Sequence, residues 1–278
     1  MGEEKYIKLR NEMIYTNIMG KGEPLIFLHG GPGGEHRFFL PHLQDLSQRF
    51  TLIFYDQRGC GQSEKAENED YTMDGEVETL EALRQFFKIE KLNLIGESWG
   101  SMLALLYAVK YPDHVNKLFM TAAVGATTEG YFRFEKELMN RLTMDERKWL
   151  EEVSPKVDSE EVDVAEIFKM IDPYYVYSPE SLTKKTKTQS NARVNELIGK
   201  DIADNYDVSK AASKLSRIPM LVAQGDHDIL TPEILEQVLV NYIPHIEVRE
   251  IKDCGHWSVV EQPEQLQAMI KEFFQKGY

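Results

Sequence analysis

The stretch LNLIGESWGSMLALLYAVK, Leu92–Lys110, decides how this chain is read. It opens with a short apolar run, Leu92–Ile95, that suits a buried strand. It continues from Ser98 to about Lys110 as an apolar helix that must stop before Pro112. Between the two lies Gly96-Glu97-Ser98-Trp99-Gly100, a GxSxG pentapeptide. Flanking glycines permit a tight strand-to-helix turn that pushes the central serine above the sheet edge. The helix behind it aims its positive N-terminus at the same place. Ser98 is therefore the candidate nucleophile.

Working outward, the chain alternates short apolar runs with amphipathic ones. Tyr6–Leu9 and Met13–Ile18 read as a leading strand pair, and Leu25–Leu28 and Thr51–Tyr55 as buried strands. Helical spacing of Phe39, Leu43 and Leu46 predicts a helix from His36 to Arg49, and another runs from about Thr72 to Lys88. After the strand Val115–Ala122 the rhythm breaks: residues 125–213 carry helical patterns without a strand. Thr143 to Glu146 forms a capping-box pattern there, and Ser178 reads as an N-cap before Pro179. Alternation resumes with strands at Ile218–Ala223 and His245–Ile251 and helices at Pro232–Asn241 and Pro263–Gln275. This order predicts an α/β fold: a mostly parallel twisted sheet with helices on both faces and an inserted helical cap. The core is expected in two parts, 1–124 and 214–278, with the cap at 125–213.

A serine hydroxyl needs a general base held in the right tautomer by a carboxylate. On such a sheet the chain order is Ser, then Asp or Glu, then His. His256 follows the last predicted strand, at the carboxyl end of the sheet where loop residues meet a site. For the acid, Gly225-Asp226-His227-Asp228 follows the strand Ile218–Ala223. Asp228 is preferred to Asp226 because it reaches farther past the turn toward the histidine loop. Two N–H groups must also meet the developing oxyanion. One is expected from Trp99, the residue after the nucleophile. The other is expected from His29-Gly-Gly-Pro-Gly-Gly34, with Gly31 as donor and Gly30 as the fallback donor and a substrate contact. The same glycines do not fit a dinucleotide fingerprint, since Pro32 and the GG doublets spoil its spacing. His29 is expected to brace this loop, and Cys60 to be a small buried filler.

Composition sets the outer bounds. The chain has 278 residues, 42% hydrophobic and 28% charged, an ordinary globular balance. Acidic residues outnumber basic ones, 46 against 32, giving a formal net charge of −14 that disfavours nucleic acid as a partner. The longest near-apolar run, Met102–Val109, is far short of the roughly 18 residues of a membrane span. The N-terminus lacks a signal-peptide core, so a cytoplasmic chain is expected. Two cysteines and no CxxC or His-rich cluster point to neither a disulfide framework nor a metal site. No feature of the sequence specifies an oligomeric state.

Taken together, HGGPGG at 29–34, YDQRGCGQS at 55–63, GESWGS at 96–101, GDHDILTP at 225–232 and GHWSVVEQPE at 255–264 resemble the α/β-hydrolase superfamily. Within it they are most similar to the proline iminopeptidase group. The resemblance carries a catalytic triad onto Ser98, Asp228 and His256 and an oxyanion hole onto Gly31 and Trp99. It implies a cofactor-independent hydrolase acting on small peptides or amides with a free N-terminus. Members of that group hold the substrate ammonium with acidic residues, one of them in the cap, and Glu196 stands near that position here. In shorter members another acid follows the catalytic Asp; here that residue is Ile229.

Two enzymatic readings follow: an aminopeptidase acting through an acyl-enzyme, or a carboxylesterase, lactonase or C–C bond hydrolase using the same triad on a small metabolite. A non-catalytic ligand receptor on this fold would carry a damaged triad, and the residues here are complete.

Overall fold

The computed structural model describes residues 2–157 and 164–275. Period-two burial builds its sheet. In the strand β3 (Glu23–Leu28), Leu25 and Phe27 face one side while Ile26 and Leu28 face the other, and all four are fully buried. Both faces must therefore be covered. The remaining strands are β1 (Glu3–Leu9), β2 (Glu12–Met19), β4 (Phe50–Tyr55), β5 (Leu92–Glu97), β6 (Val115–Thr121), β7 (Met220–Gly225) and β8 (Glu247–Ile251). Their spatial order is β1-β2-β4-β3-β5-β6-β7-β8. β1 and β2 form an antiparallel hairpin, β2 joins β4 antiparallel, and every later pairing is parallel.

Helices α1 (Met73–Phe86) and α2 (Trp99–Lys110) cover one face, packing Val77, Leu80 and Leu103 against Ile26, Leu28 and Leu94. The last helix covers the other, with Leu266, Ile270, Phe273 and Phe274 against Leu25, Phe27 and Ile95. Phe27 sits 4.4 Å from Phe54, centroid to centroid, at the middle of this layer. Truncating it to alanine is expected to cost about 3–5 kcal/mol.

Between β6 and β7 stand α3 (Thr128–Arg141), α4 (Met144–Val157), α5 (Val164–Ile171) and α6 (Ala192–Asn205), hereafter the cap. Of the segment expected as cap, 158–163 lie outside the described residues, as do Met1 and 276–278 of the core. The capping box forms: Glu146 N–H donates to Thr143 Oγ1 at 3.3 Å, and Thr143 N–H donates to Glu146 Oε2 at 2.8 Å. Behind β7 come α7 (Pro232–Leu235), which runs on as a π turn over Glu236–Val240, then α8 (Ser258–Glu261) and α9 (Pro263–Gln275).

Three expectations are corrected. The helix foreseen from His36 to Arg49 is two short 3-10 turns, His36–Phe39 and Gln44–Gln48. Pro41 lacks an N–H and forces Leu40 into extended backbone, φ −109° and ψ 141°, which a helix cannot pass through. Phe39, Leu43 and Leu46 are nevertheless buried, so the spacing identified inward-facing residues but not the helix. Ser178 makes no side-chain cap, and Pro179–Lys184 is a 3-10 turn. The helix foreseen over Pro232–Asn241 is α-helical only to Leu235.

Candidate active site

Ser98 joins β5 to α2 with φ 51° and ψ −117°, a conformation that costs a non-glycine residue free energy and persists only when its surroundings impose it. Here they do. Ser98 N–H donates to Thr121 O on neighbouring β6 at 3.1 Å. A Cβ on Gly96 would lie 2.4 Å from Gly100 O, and one on Gly100 would lie 2.0 Å from Leu28 O. Only glycine at both positions lets the turn close this tightly against β3. Trp99 opens α2, so its N–H has no acceptor within the helix.

The other two predicted residues meet Ser98. His256 Nε2 is 3.0 Å from Ser98 Oγ, and His256 Nδ1 is 2.9 Å from Asp228 Oδ1. A proton on Nδ1 held by Asp228 leaves the Nε2 lone pair for the serine hydroxyl. Asp228 Oδ1 also accepts Leu230 N–H at 3.1 Å, which fixes the carboxylate. Asp226 has a different task, accepting Cys254 N–H at 3.2 Å and so tying the turn to the histidine loop. His256 is buried and donates its backbone N–H to Tyr175 O at 2.7 Å, with the Phe134 ring 4.8 Å away. Burial alone would depress its pKa, but the charge and hydrogen bond of Asp228, helped by Glu97, hold it above the ordinary value.

The glycine loop is braced by a residue the sequence reading passed over. Gln57, in the DQRG loop, accepts the Trp99 indole N–H at 2.8 Å and donates to His29 O at 2.9 Å. Its backbone N–H donates to His29 Nε2 at 3.0 Å, while His29 Nδ1 faces Gly30 O at 3.0 Å. The imidazole is thus neutral with its proton on Nδ1, and burial lowers its pKa accordingly. One glutamine couples the two segments expected to supply oxyanion donors. Gly31 adopts φ +117°, which only glycine tolerates easily. Gly30 packs directly against the Glu97 carboxyl.

A cavity of about 570 Å³ opens over Ser98 and His256. Gly30, Gly31, Phe38, Phe134, Tyr175 and Trp257 are among its lining residues. Its acidic wall residues are Glu35, Glu97 and Asp172. Glu35 is engaged by Arg37 and by Gln189 N–H, and Asp172 by Lys185 at 2.8 Å. Glu97, directly before Ser98, is buried and pairs with no Lys or Arg among the described residues, and burial raises its pKa to about 7. A Cβ on Gly30 would stand 2.2 Å from Glu97 Oε2 and 3.1 Å from Ser98 Cβ, so carboxyl and serine flank one point.

Glu196, expected as the cap acid facing substrate, lies elsewhere. Its side chain is 60% exposed, pairs with Arg193 at 2.8 Å, and is absent from the cavity wall. Neighbouring Asn195 faces inward instead, donating to Pro32 O at 2.8 Å. Of the three cap tyrosines at 174, 175 and 177, Tyr175 lines the cavity, Tyr174 bonds Glu146 and Tyr177 packs on His227. Cys60 is fully buried and its thiol is pushed well up by that burial, which suits a filler. Glu35, His36 and Asp56 cluster within 4.8 Å behind the loop. Asp56 there accepts both the backbone and ring N–H of His36, and Gln62 N–H, so this acid braces the loop.

Comparison with known proteins places this geometry. The sequence pattern of the alpha/beta hydrolase fold family matches residues 23–263, most of the chain. The chain belongs to the α/β-hydrolase fold family. As an α/β-hydrolase it is 29% identical to a proline iminopeptidase of Thermoplasma volcanium over 99% of this chain and 97% of that one. Among solved structures it is similar to a proline iminopeptidase-related protein of Thermus thermophilus, with TM-score 0.76 and 20% identity over 99% and 97% of the two chains. It is also similar to a 2-hydroxy-6-oxo-6-phenylhexa-2,4-dienoate hydrolase of Rhodococcus, with TM-score 0.72 and 21% identity over 99% of each. Those likenesses carry the fold. The α/β-hydrolase assignment makes the protein a hydrolase. Among the described residues no helix is long and apolar enough to cross a membrane.

Proposed function

We propose that this hydrolase is a serine aminopeptidase that releases an N-terminal residue, proline or another small apolar one, from short peptides. The hydrogen-bonded chain Ser98 Oγ–His256 Nε2 and His256 Nδ1–Asp228 Oδ1, 3.0 and 2.9 Å, supports the serine mechanism. His256 takes the Ser98 proton as Oγ bonds the scissile carbonyl carbon, and the oxyanion is met by Gly31 and Trp99 N–H. The imidazolium gives its proton to the leaving amine as the C–N bond breaks. Water then enters by the reverse route and frees the acyl group, while Asp228 stays ionised throughout.

The observation that carries the aminopeptidase reading is Glu97. It is a cavity-lining carboxyl beside Ser98 that pairs with no Lys or Arg among the described residues, while Glu35 and Asp172 are engaged. A substrate α-ammonium is two bonds from the scissile carbon, so a carboxylate beside the nucleophile is in the right place for it. Bringing a cation there draws the Glu97 pKa back down and makes the acid an anion. The Thermoplasma relative, named a proline iminopeptidase, supports the same reading. Ile229 after Asp228 favours the second reading, an esterase or C–C bond hydrolase with the same three residues.

The test compares proline p-nitroanilide, its N-acetyl derivative and p-nitrophenyl butyrate, with Ser98→Ala as control. Cleavage of the anilide that N-acetylation abolishes supports the aminopeptidase. Turnover of the ester alone gives the second reading, and activity that survives in Ser98→Ala defeats both.

A further inference from the structure

We propose that the cavity mouth selects substrates carrying a carboxylate at the end away from the scissile bond, so that the enzyme acts on peptides of a few residues with a free C-terminus. This rests on the aminopeptidase reading and names its substrate class. Three lysines, Lys169 of α5 and Lys185 and Lys187 of the segment before α6, line the cavity. The same wall carries three acids, Glu35, Glu97 and Asp172, so the local sign at each end depends on which of these charges are paired.

The pairing of charges around the cavity decides that sign. Lys185 is spent: it holds Asp172 at 2.8 Å and lies 4.1 Å from the centre of the Trp257 ring. Glu35 is matched by Arg37. Glu97 lies beside Ser98, at the chemical end. Lys169 and Lys187 are exposed and form no ion pair among the described residues. The unmatched charge of the outer cavity is therefore positive. Thr188 and Ser190, with hydroxyl groups able to donate to a carboxylate, line the same cavity, whereas the Thr186 hydroxyl is spent on Leu40 O. With Glu35 and Asp172 paired, the two free lysines leave a positive field at that part of the cavity, which attracts a ligand's negative charge.

Length follows from size. A cavity of about 570 Å³ is ligand-sized, and an extended peptide advances about 3.5 Å per residue. Ser98 and the lysines line this one cavity, so a peptide of a few residues anchored at Ser98 is the length that fits it. A peptide amide of equal length makes every other contact but lacks the terminal charge.

The experiment measures kcat/KM for Pro-Ala and Pro-Ala-Ala, each against its C-terminal amide, with proline p-nitroanilide as a substrate lacking any carboxylate. The free acids should be favoured about tenfold, with the preference shrinking severalfold in 0.5 M NaCl. In Lys169→Glu/Lys187→Glu the ratio of acid to amide should fall below one. Acid and amide cleaved within twofold of each other by the wild type, at low and high salt alike, would overturn this inference while leaving the aminopeptidase intact. If neither the anilide nor any peptide is cleaved, the aminopeptidase reading itself fails and takes this inference with it.

Discussion

The indole N–H of Trp99 reaches Gln57 Oε1 at 2.8 Å, and through Gln57 the start of α2 is tied to His29 at the root of the glycine loop. The segments that carry the two proposed oxyanion donors are thus tied by a side chain that bonds neither donor's backbone N–H. Gln57→Leu should leave the Trp99 indole and His29 O buried without partners, at about 1–3 kcal/mol each. We expect a lower melting temperature and a kcat reduced about tenfold or more, with KM little changed. Thermal denaturation and steady-state kinetics check this, and an unchanged kcat would separate Gln57 from the chemistry.

Glu97→Gln separates amine recognition from hydrolysis. If the carboxylate anchors the substrate ammonium, kcat/KM for proline p-nitroanilide should fall about 100-fold, the worth of a buried charge-assisted contact. Turnover of p-nitrophenyl butyrate should change far less. Equal losses on both substrates would count against the anchor.

The same substitution should raise stability. Burial lifts the folded-state pKa of Glu97 to about 7, above that of an unfolded glutamate. The stability this proton holding supplies in acid is lost as pH rises toward 7, and above that the folded state bears the cost of a buried anion. Glu97→Gln should therefore stabilise the protein at pH 8 by up to about 3 kcal/mol and hardly at all near pH 4. Denaturant titrations at the two pH values measure the difference.

The acid limb of activity should belong to His256. The base works only when neutral, and Asp228 and Glu97 hold its pKa above the ordinary value. Activity should therefore rise with pH through a midpoint above about 6.5. Removing the Glu97 charge makes the imidazolium less stable, so Glu97→Gln should move that midpoint to lower pH. A pH–rate profile on the ester, which needs no ammonium anchor, shows whether it moves.

Ser98 and Asp228 were legible in the sequence because each follows a short apolar run that suits a buried strand, and His256 because it lies between the last strand, the largely polar Glu247–Ile251, and the closing helix. Their loops therefore had to emerge at one edge. Glu196 was misplaced by one residue: successive side chains on a helix diverge by about 100°. In α6 that turns Asn195 toward Pro32 and Glu196 toward Arg193 and solvent. Glu97 lay in plain view inside the GxSxG pentapeptide, yet its setting depends on β3 pairing with β5, where Leu28 stands opposite Gly96. No local pattern reports that register. The 3-10 turns over 36–48 were hidden because buried spacing is shared by helices and tight turns, and Pro41 was the neglected sign.

The cap grips the glycine loop at several points: Asn191 N–H on Gly33 O at 2.9 Å, Asn195 on Pro32 O at 2.8 Å, and Gln189 N–H on Glu35. Substrate range and oxyanion geometry are thereby inherited together. A chimera that grafts a foreign cap onto this core would have to bring its own glycine loop, and libraries that vary residues 185–195 will alter rate as readily as preference.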